Sequence, residues 1–166
     1  MGPIYLPAME LVLSRDVGVE PAHPCAPIRD WDSALAQGHP AVLWNPKAAQ
    51  ADAGLMMRQI HALGNTVYLG CTVDGEFASA ATVFIHDDVA GIYDVVTKPE
   101  FRGRGAATSV MLAAINLARQ RGCRVAILQS HKRAAGLYER LGFQTTGMFA
   151  SMYYSRPRME ADRGKS

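Results

Sequence analysis

Thr97-Lys98-Pro99-Glu100-Phe101-Arg102-Gly103-Arg104-Gly105-Ala106-Ala107-Thr108 is the stretch that decides how this 166-residue chain reads. Before it, Val89 to Thr97 is rich in β-branched and apolar residues, as a strand would be. After it, Gly105 to Gln120 carries Val110, Ala113 or Ala114, and Leu117 at helical spacing and stops at Arg121-Gly122. A glycine loop between a strand and a helix lets backbone approach a ligand closely. The helix adds unpaired N–H groups and the positive end of its dipole, and Arg102 and Arg104 add charge suited to phosphate. The segment reads as an anion site.

Spacing narrows the anion. The Walker pattern needs a Gly-Lys-Ser/Thr triplet, which the chain lacks. A dinucleotide fingerprint fails as well: Thr108 stands at its third glycine, and the apolar run around Leu128 lies where an acidic ribose partner belongs.

Working outward, Thr66 to Val73 is β-rich and ends at Asp74-Gly75, a hairpin signal. Phe77 to His86 reads as the next strand, Asp87-Asp88 as a turn, and Val89 to Thr97 as the third strand of an antiparallel meander. Arg124 to Gln129 is a short apolar run typical of a buried strand. With the helix before it, this run makes a β-α-β crossover, so it is expected to pair parallel to the strand ending at Thr97. A second helix is expected through Tyr138 and Leu141, and Phe143 to Tyr154 is expected to be extended. Upstream, Met9 to Ser14 reads as a strand and Val19 to Pro27, with three prolines, as a loop. Asp30 to Gln37 reads as a short helix, and Asn45 to Leu63 as a longer one with Pro46 in its first turn and Gly64 after its end. The expected class is α+β: a mixed, mostly antiparallel sheet with flanking helices and one parallel crossover, in a single domain over residues 1–166.

Composition agrees. With 49% hydrophobic and 19% charged residues the chain is neither disordered nor collagen-like. No run approaches the length of a membrane span, and Met1 to Leu13 lacks a basic start and is broken by Pro3 and Pro7. These features point to a cytoplasmic protein with no membrane partner. Cys25, Cys71 and Cys123 are widely spaced and read as reduced, mostly buried thiols. His23, Cys25, His39, His61 and His86 have no metal-ligand spacing, so no metal is expected. Charge is uneven: residues 1–97 carry four basic and eleven acidic side chains, whereas 98–140 carry nine basic and two acidic. An anionic partner for the second half is implied. A nucleic acid fits poorly, because residues 98–140 hold only Phe101 and Tyr138 as aromatics.

Arg102-Gly103-Arg104-Gly105-Ala106-Ala107 resembles the Q/R-x-x-G-x-G/A pyrophosphate motif of the GNAT superfamily of acyl-CoA N-acyltransferases. A second stretch, Ala134-Ala135-Gly136-Leu137-Tyr138-Glu139-Arg140-Leu141-Gly142-Phe143, looks like that family's A-x-x-L-Y-x-x-x-G-F signature. The two occur in order, separated by a helix and a strand. The resemblance covers residues 66 to about 154 and is weak over 1–45.

The resemblance implies acetyl-CoA as acyl donor, lying between two strands that splay apart, here those ending at Thr97 and Gln129. The pantetheine arm would pair with the backbone of Val95, Val96 and Thr97, where an N–H would polarise the thioester carbonyl. The pyrophosphate would sit on Gly103, Arg104, Gly105, Ala106, Ala107 and Thr108, with Arg102 and Arg104 adding charge. Tyr138 matches the tyrosine that protonates the departing thiolate. His131 stands where the family often has an Asn that contacts pantetheine. A general base is missing from the crossover strand; Asp94 is the nearest candidate, and direct attack by a free amine would also serve.

The implied activity is transfer of an acetyl group from acetyl-CoA to a primary amine. A non-catalytic acyl-CoA-binding regulatory module is the alternative, favoured by the lack of an obvious base and opposed by Tyr138. A homodimer through the last strand, where Met148, Met152, Tyr153 and Tyr154 alternate with other residues, is left open.

Overall fold

The computed structural model describes residues 4–14, 19–30, 59–60 and 62–151. These form seven strands in one sheet: β1 (Ile4–Val12), β2 (Cys25–Pro27), β3 (Thr66–Val73), β4 (Glu76–His86), β5 (Val89–Thr97), β6 (Val125–Gln129) and β7 (Gln144–Ser151). Helix α1 (Ala106–Gln120) joins β5 to β6, and α2 (Ala135–Arg140) joins β6 to β7. The order across the sheet is β2-β3-β4-β5-β6-β1-β7, and only β5 and β6 run parallel. This is the mixed, mostly antiparallel α+β architecture expected from the sequence.

The meander follows its turn chemistry. Asp74 and Gly75 both take positive φ, +54° and +84°, as a two-residue turn matching the strands' twist requires. Asp87 also takes positive φ, and its neighbour Asp88 does more than turn the chain. The Asp88 carbonyl accepts from the N–H groups of Arg124 and Val125 at 2.7 and 3.3 Å, and its carboxylate pairs with the Arg124 guanidinium. The start of β6 is thereby clamped to the start of β5.

Two readings of the N-terminal part need correction. The strand expected over Met9 to Ser14 begins earlier, at Ile4, ends at Val12, and lies between β6 and β7. Pro7 is tolerated there because it falls where the pairing with β6 stops: its carbonyl accepts from Ser130 N–H at 2.9 Å, and the ladder begins one residue later with Ala8 opposite Gln129. The segment expected to be loop up to Pro27 ends in β2, an edge strand of three residues on β3. A proline can sit in an edge strand, so its presence did not exclude one. The helix expected over Asp30–Gln37 lies outside the described residues. So does that over Asn45–Leu63, apart from its end, where Gln59, Ile60 and Ala62 are helical and Gly64 follows at φ +79°. The last strand is described to Ser151; Met152, Tyr153 and Tyr154 lie beyond.

Helix α1 packs across β3, β4 and β5 through Ala106, Val110, Met111, Ala114, Ile115 and Ala118. These positions recur every three or four residues and are all buried, which is why the stripe forms a helix face. Small alanines bring the helix close to the sheet, and Val83, Ile92, Ala126 and Leu128 fill the facing layer. Burying a side chain such as Ile92 contributes about 1.5–3 kcal/mol. This layer fixes the first turn of α1 against the end of β5.

Candidate functional site

Parallel strands place their carboxyl ends on the same side of a sheet, and ligands in such sheets bind outside those ends. Here the pairing between β5 and β6 covers only Val89 opposite Val125, Ala90 opposite Ala126 and Gly91 opposite Ile127. Beyond Gly91 the two strands part. The V is closed by Asp88 and Arg124 and opens toward Thr97 on one arm and Gln129 on the other. The glycine loop leaves the first arm and His131 follows the second.

Inside β5, the ladder with β4 shifts register between Thr82 opposite Tyr93 and Ala80 opposite Val96. The extra residue is accommodated at Asp94, whose φ of +52° is left-handed. Aspartate tolerates that conformation better than most residues. Its carboxylate is exposed and accepts from the Thr82 hydroxyl at 3.2 Å. Burial, and secondarily the Asp94 charge, push the neighbouring Tyr68 phenol up.

After the bulge, the backbone facing is set by β4. Lys98 N–H donates to Ala78 at 2.9 Å, and the Val96 carbonyl accepts from the Ser79 hydroxyl at 2.8 Å, so Val96 and Lys98 face β4. Successive residues alternate, which turns the polar backbone of Val95 and Thr97 toward the open side of the V. The Thr97 hydroxyl is tied to Ser79 at 2.9 Å. Of the three β5 residues expected along the pantetheine arm, Val95 and Thr97 face the gap and Val96 faces away.

The glycine loop starts with a single 3-10 turn over Pro99–Phe101, which buries Phe101. Gly103 and Gly105 then take φ +75° and +83°, conformations that cost other residues about 1–2 kcal/mol. The first backbone bond of α1 runs from Ser109 N–H to the Gly105 carbonyl at 2.9 Å. Among the described residues, the N–H groups of Gly103, Arg104, Gly105, Ala106, Ala107 and Thr108 have no acceptor. Gly105, as the residue before the helix, brings no side-chain cap. Six consecutive donors at the positive end of a 15-residue helix form an anion cradle.

The two arginines of the loop differ. Arg104 bonds Asp74 of the β3–β4 turn at 2.6 Å and lies over the Phe101 ring at 5.4 Å. Its own carbonyl is 2.7 Å from His23 Nε2, while His23 N–H donates to the Ser109 hydroxyl at 3.2 Å. Arg102 is exposed, and its side chain has no partner among the described residues. Arg104 therefore anchors the loop, while Arg102 is the arginine of the loop without a side-chain partner among the described residues. His23 was read from the sequence as incidental, since nothing local tied it to the loop.

Past β6, Ser130 is buried, and His131 opens the turn into α2. The His131 carbonyl accepts from Ala134 N–H at 2.8 Å, and its Nδ1 accepts from Arg133 N–H at 3.3 Å. The His131 side chain is exposed. In α2, Tyr138 is 6% exposed and packs edge-on to Phe143, with ring centroids 6.2 Å apart. The Phe143 N–H donates to the Tyr138 carbonyl at 3.0 Å, so Gly142 and Phe143 fold back on the helix end. Burial pushes the Tyr138 phenol above its ordinary value, keeping it a proton donor. Among the described residues, no group accepts from it or donates to it.

The model of the acetyltransferase (GNAT) family matches residues 28–143, most of the chain and all of the V, the glycine loop and α2. The chain belongs to the acetyltransferase (GNAT) family. A Bacillus subtilis (strain 168) relative bearing the name of a [ribosomal protein bS18]-alanine N-acetyltransferase is 30% identical over 89 residues, which are 52% of this chain and 59% of the relative. The chain thus spans less than two thirds of that GNAT relative's length. In fold it is similar to the crystal structure of glucosamine-6-phosphate N-acetyltransferase from Arabidopsis thaliana, with a TM-score of 0.68 at 20% identity over 81% of this chain and 99% of that one. It is also similar to AAC(6')-Iy in complex with a CoA-containing bisubstrate analogue, with a TM-score of 0.63 at 18% identity over 81% of this chain and 97% of that one. Among the described residues, no cluster of His, Cys, Asp and Glu could hold a metal ion, and no helix is long and apolar enough to cross a membrane.

Proposed function

We propose that this GNAT protein is an N-acetyltransferase that moves an acetyl group from acetyl-CoA to a primary amine in one direct step. The observation that carries the reading is the run of six unpaired N–H donors from Gly103 to Thr108, beside an uncommitted Arg102, at the mouth of a V between β5 and β6. A pyrophosphate fits those donors, and an extended pantetheine arm fits a gap whose β5 wall presents unpaired backbone. Membership of the family and the CoA-bound fold neighbour support the choice of donor.

Each residue then has a task. Gly103, Arg104, Gly105, Ala106, Ala107 and Thr108 bind the pyrophosphate through their N–H groups, and Arg102 adds a charge-assisted bond. Arg104 holds the loop in that shape through Asp74, Phe101 and His23. Val95 and Thr97 pair with the pantetheine amides, while Val96 keeps β5 in register with β4. The bulge at Asp94 turns a β5 N–H toward the thioester carbonyl, where it stabilises the oxyanion that develops as the amine nitrogen attacks. His131 offers its imidazole to the pantetheine arm. When the C–S bond breaks, Tyr138 gives its proton to the CoA sulfur and regains one from water.

Asp94 receives a conformational role. Its left-handed φ explains an aspartate at the bulge without a catalytic task. The acceptor enters as the free amine and water takes its proton after attack. Thiol release from acetyl-CoA over a panel of primary amines tests the proposal. Release with at least one amine supports transfer; acetyl-CoA binding without release from any amine favours a regulatory module that binds the donor and does not turn it over. We place the protein in the cytoplasm, where acetyl-CoA is available.

A further inference from the structure

On the far side of the sheet from the V, β2 and β3 hold two thiols face to face. Cys25 is opposite Cys71 in antiparallel register. Thr72 N–H donates to the Pro24 carbonyl at 3.0 Å, and Ile28 N–H donates to the Tyr68 carbonyl at 2.8 Å. Ladder bonds in an antiparallel pair fall on every second facing pair. The bonded pairs are thus Pro24 with Thr72 and Ile28 with Tyr68, and Cys25 with Cys71 occupies a non-hydrogen-bonded position. Facing Cα atoms at such positions approach to about 4.5 Å, within the roughly 4.4–6.8 Å that a disulfide spans. Directly opposite side chains share a face, and here they share the face that packs on the core. The Cys25 thiol donates to the His23 carbonyl at 3.4 Å.

Access is unequal. Cys71 is fully buried. Cys25 is half-buried. All three cysteines are free thiols in this structure.

We propose that Cys25 and Cys71 are a reversible redox site, at which a peroxide forms a disulfide that ties the edge strand β2 to β3. The peroxide O–O bond breaks as the Cys25 sulfur takes one hydroxyl, giving a sulfenic acid and releasing one water. The Cys71 sulfur then attacks the Cys25 sulfur, the S–O bond breaks, and a second water leaves with the remaining proton. Two thiols are oxidised, and one peroxide is reduced to two waters. A dithiol reductant reverses the bond by exchange. The bond fixes the strand that begins two residues after His23, the residue that holds the glycine loop.

The test uses the full chain treated with hydrogen peroxide, then alkylated, denatured and mapped by mass spectrometry. The expected result is loss of two of the three thiols, an intact mass lower by two hydrogens, and a peptide linkage between Cys25 and Cys71 that dithiothreitol removes. Cys123→Ser is expected to give the same linkage. In Cys71→Ser, Cys25 is expected to stop at a sulfenic acid captured by dimedone. Disulfide-linked dimers through Cys25, a linkage that includes Cys123, or overoxidation of Cys25 with Cys71 left as a thiol would each overturn the proposal. The wild-type map decides the matter even if the Cys71 variant does not fold.

Discussion

His23 Nε2 lies 2.7 Å from the carbonyl oxygen of Arg104, across 81 residues of sequence. This bond, with the one from His23 N–H to the Ser109 hydroxyl, ties the segment before β2 to both ends of the α1 entrance. His23→Ala should therefore loosen the loop without touching the ligand. One hydrogen bond contributes about 0.5–1.5 kcal/mol net, so acetyl-CoA affinity should fall roughly two- to tenfold, with kcat at saturation unchanged. Calorimetric titration and a saturation curve check this. His23→Gln, which keeps a donor, should recover part of the loss.

Arg102→Ala and Arg104→Ala should separate ligand binding from loop anchoring. Loss of a charge-assisted bond to phosphate costs about 1.5–3 kcal/mol, so Arg102→Ala should weaken acetyl-CoA binding by roughly ten- to a hundredfold while leaving the melting temperature unchanged. Arg104→Ala should lower both, because it removes the Asp74 pair and the contact with Phe101. The stability part should be small: the pair is exposed and such pairs contribute about 0.2–1 kcal/mol. Melting and titration of both variants check the division.

Much of this was legible in the sequence for a physical reason. The meander, the crossover and the glycine loop are local features, specified by residues a few positions apart: Asp74-Gly75 for the hairpin, Val110 and Ala114 for the α1 face, Gly103 and Gly105 for the loop. Long-range features were not. No local pattern ties His23 to Arg104 or sets Cys25 opposite Cys71, and β2 was masked by its own proline. The N-terminal strand was recognised only from Met9 on, because Pro7 argues against a strand until its place at the end of the β6 ladder is known. Asp88 read as a turn residue, and its clamp on Arg124 emerges only when the parallel pair is built.

Tyr138→Phe should remove the proton donor and keep the packing on Phe143. A general acid contributes about 10²–10⁴-fold, so kcat should fall at least a hundredfold with stability near wild type at neutral pH. The pH dependence follows from burial. The folded-state pKa of Tyr138 is raised above the ordinary value of about 10, so its contribution to stability is fully present below that pH and is lost as pH rises through the folded value. Wild type and variant should show the same pH dependence of unfolding from pH 6 to 9 and diverge only in stronger alkali. Urea titrations from pH 6 into that stronger alkali check it.

Asp94→Asn keeps a side chain that tolerates the left-handed bulge and removes the charge. If Asp94 only shapes β5, the variant should retain kcat within a few-fold, and its rate should keep the pH dependence set by the amine acceptor. A drop of about a hundredfold or more, in the range of a lost general base, would instead assign it the proton.

The most direct measurement compares acetyl-CoA with acetyl-pantetheine, which lacks the pyrophosphate, by calorimetric titration into the same protein. If the donors of Gly103 to Thr108 and Arg102 hold the pyrophosphate, acetyl-CoA should bind at least about a hundredfold more tightly, equivalent to roughly 3 kcal/mol. Arg102→Ala should narrow that gap. Equal affinity for the two donors, or no binding of acetyl-CoA, would contradict the account.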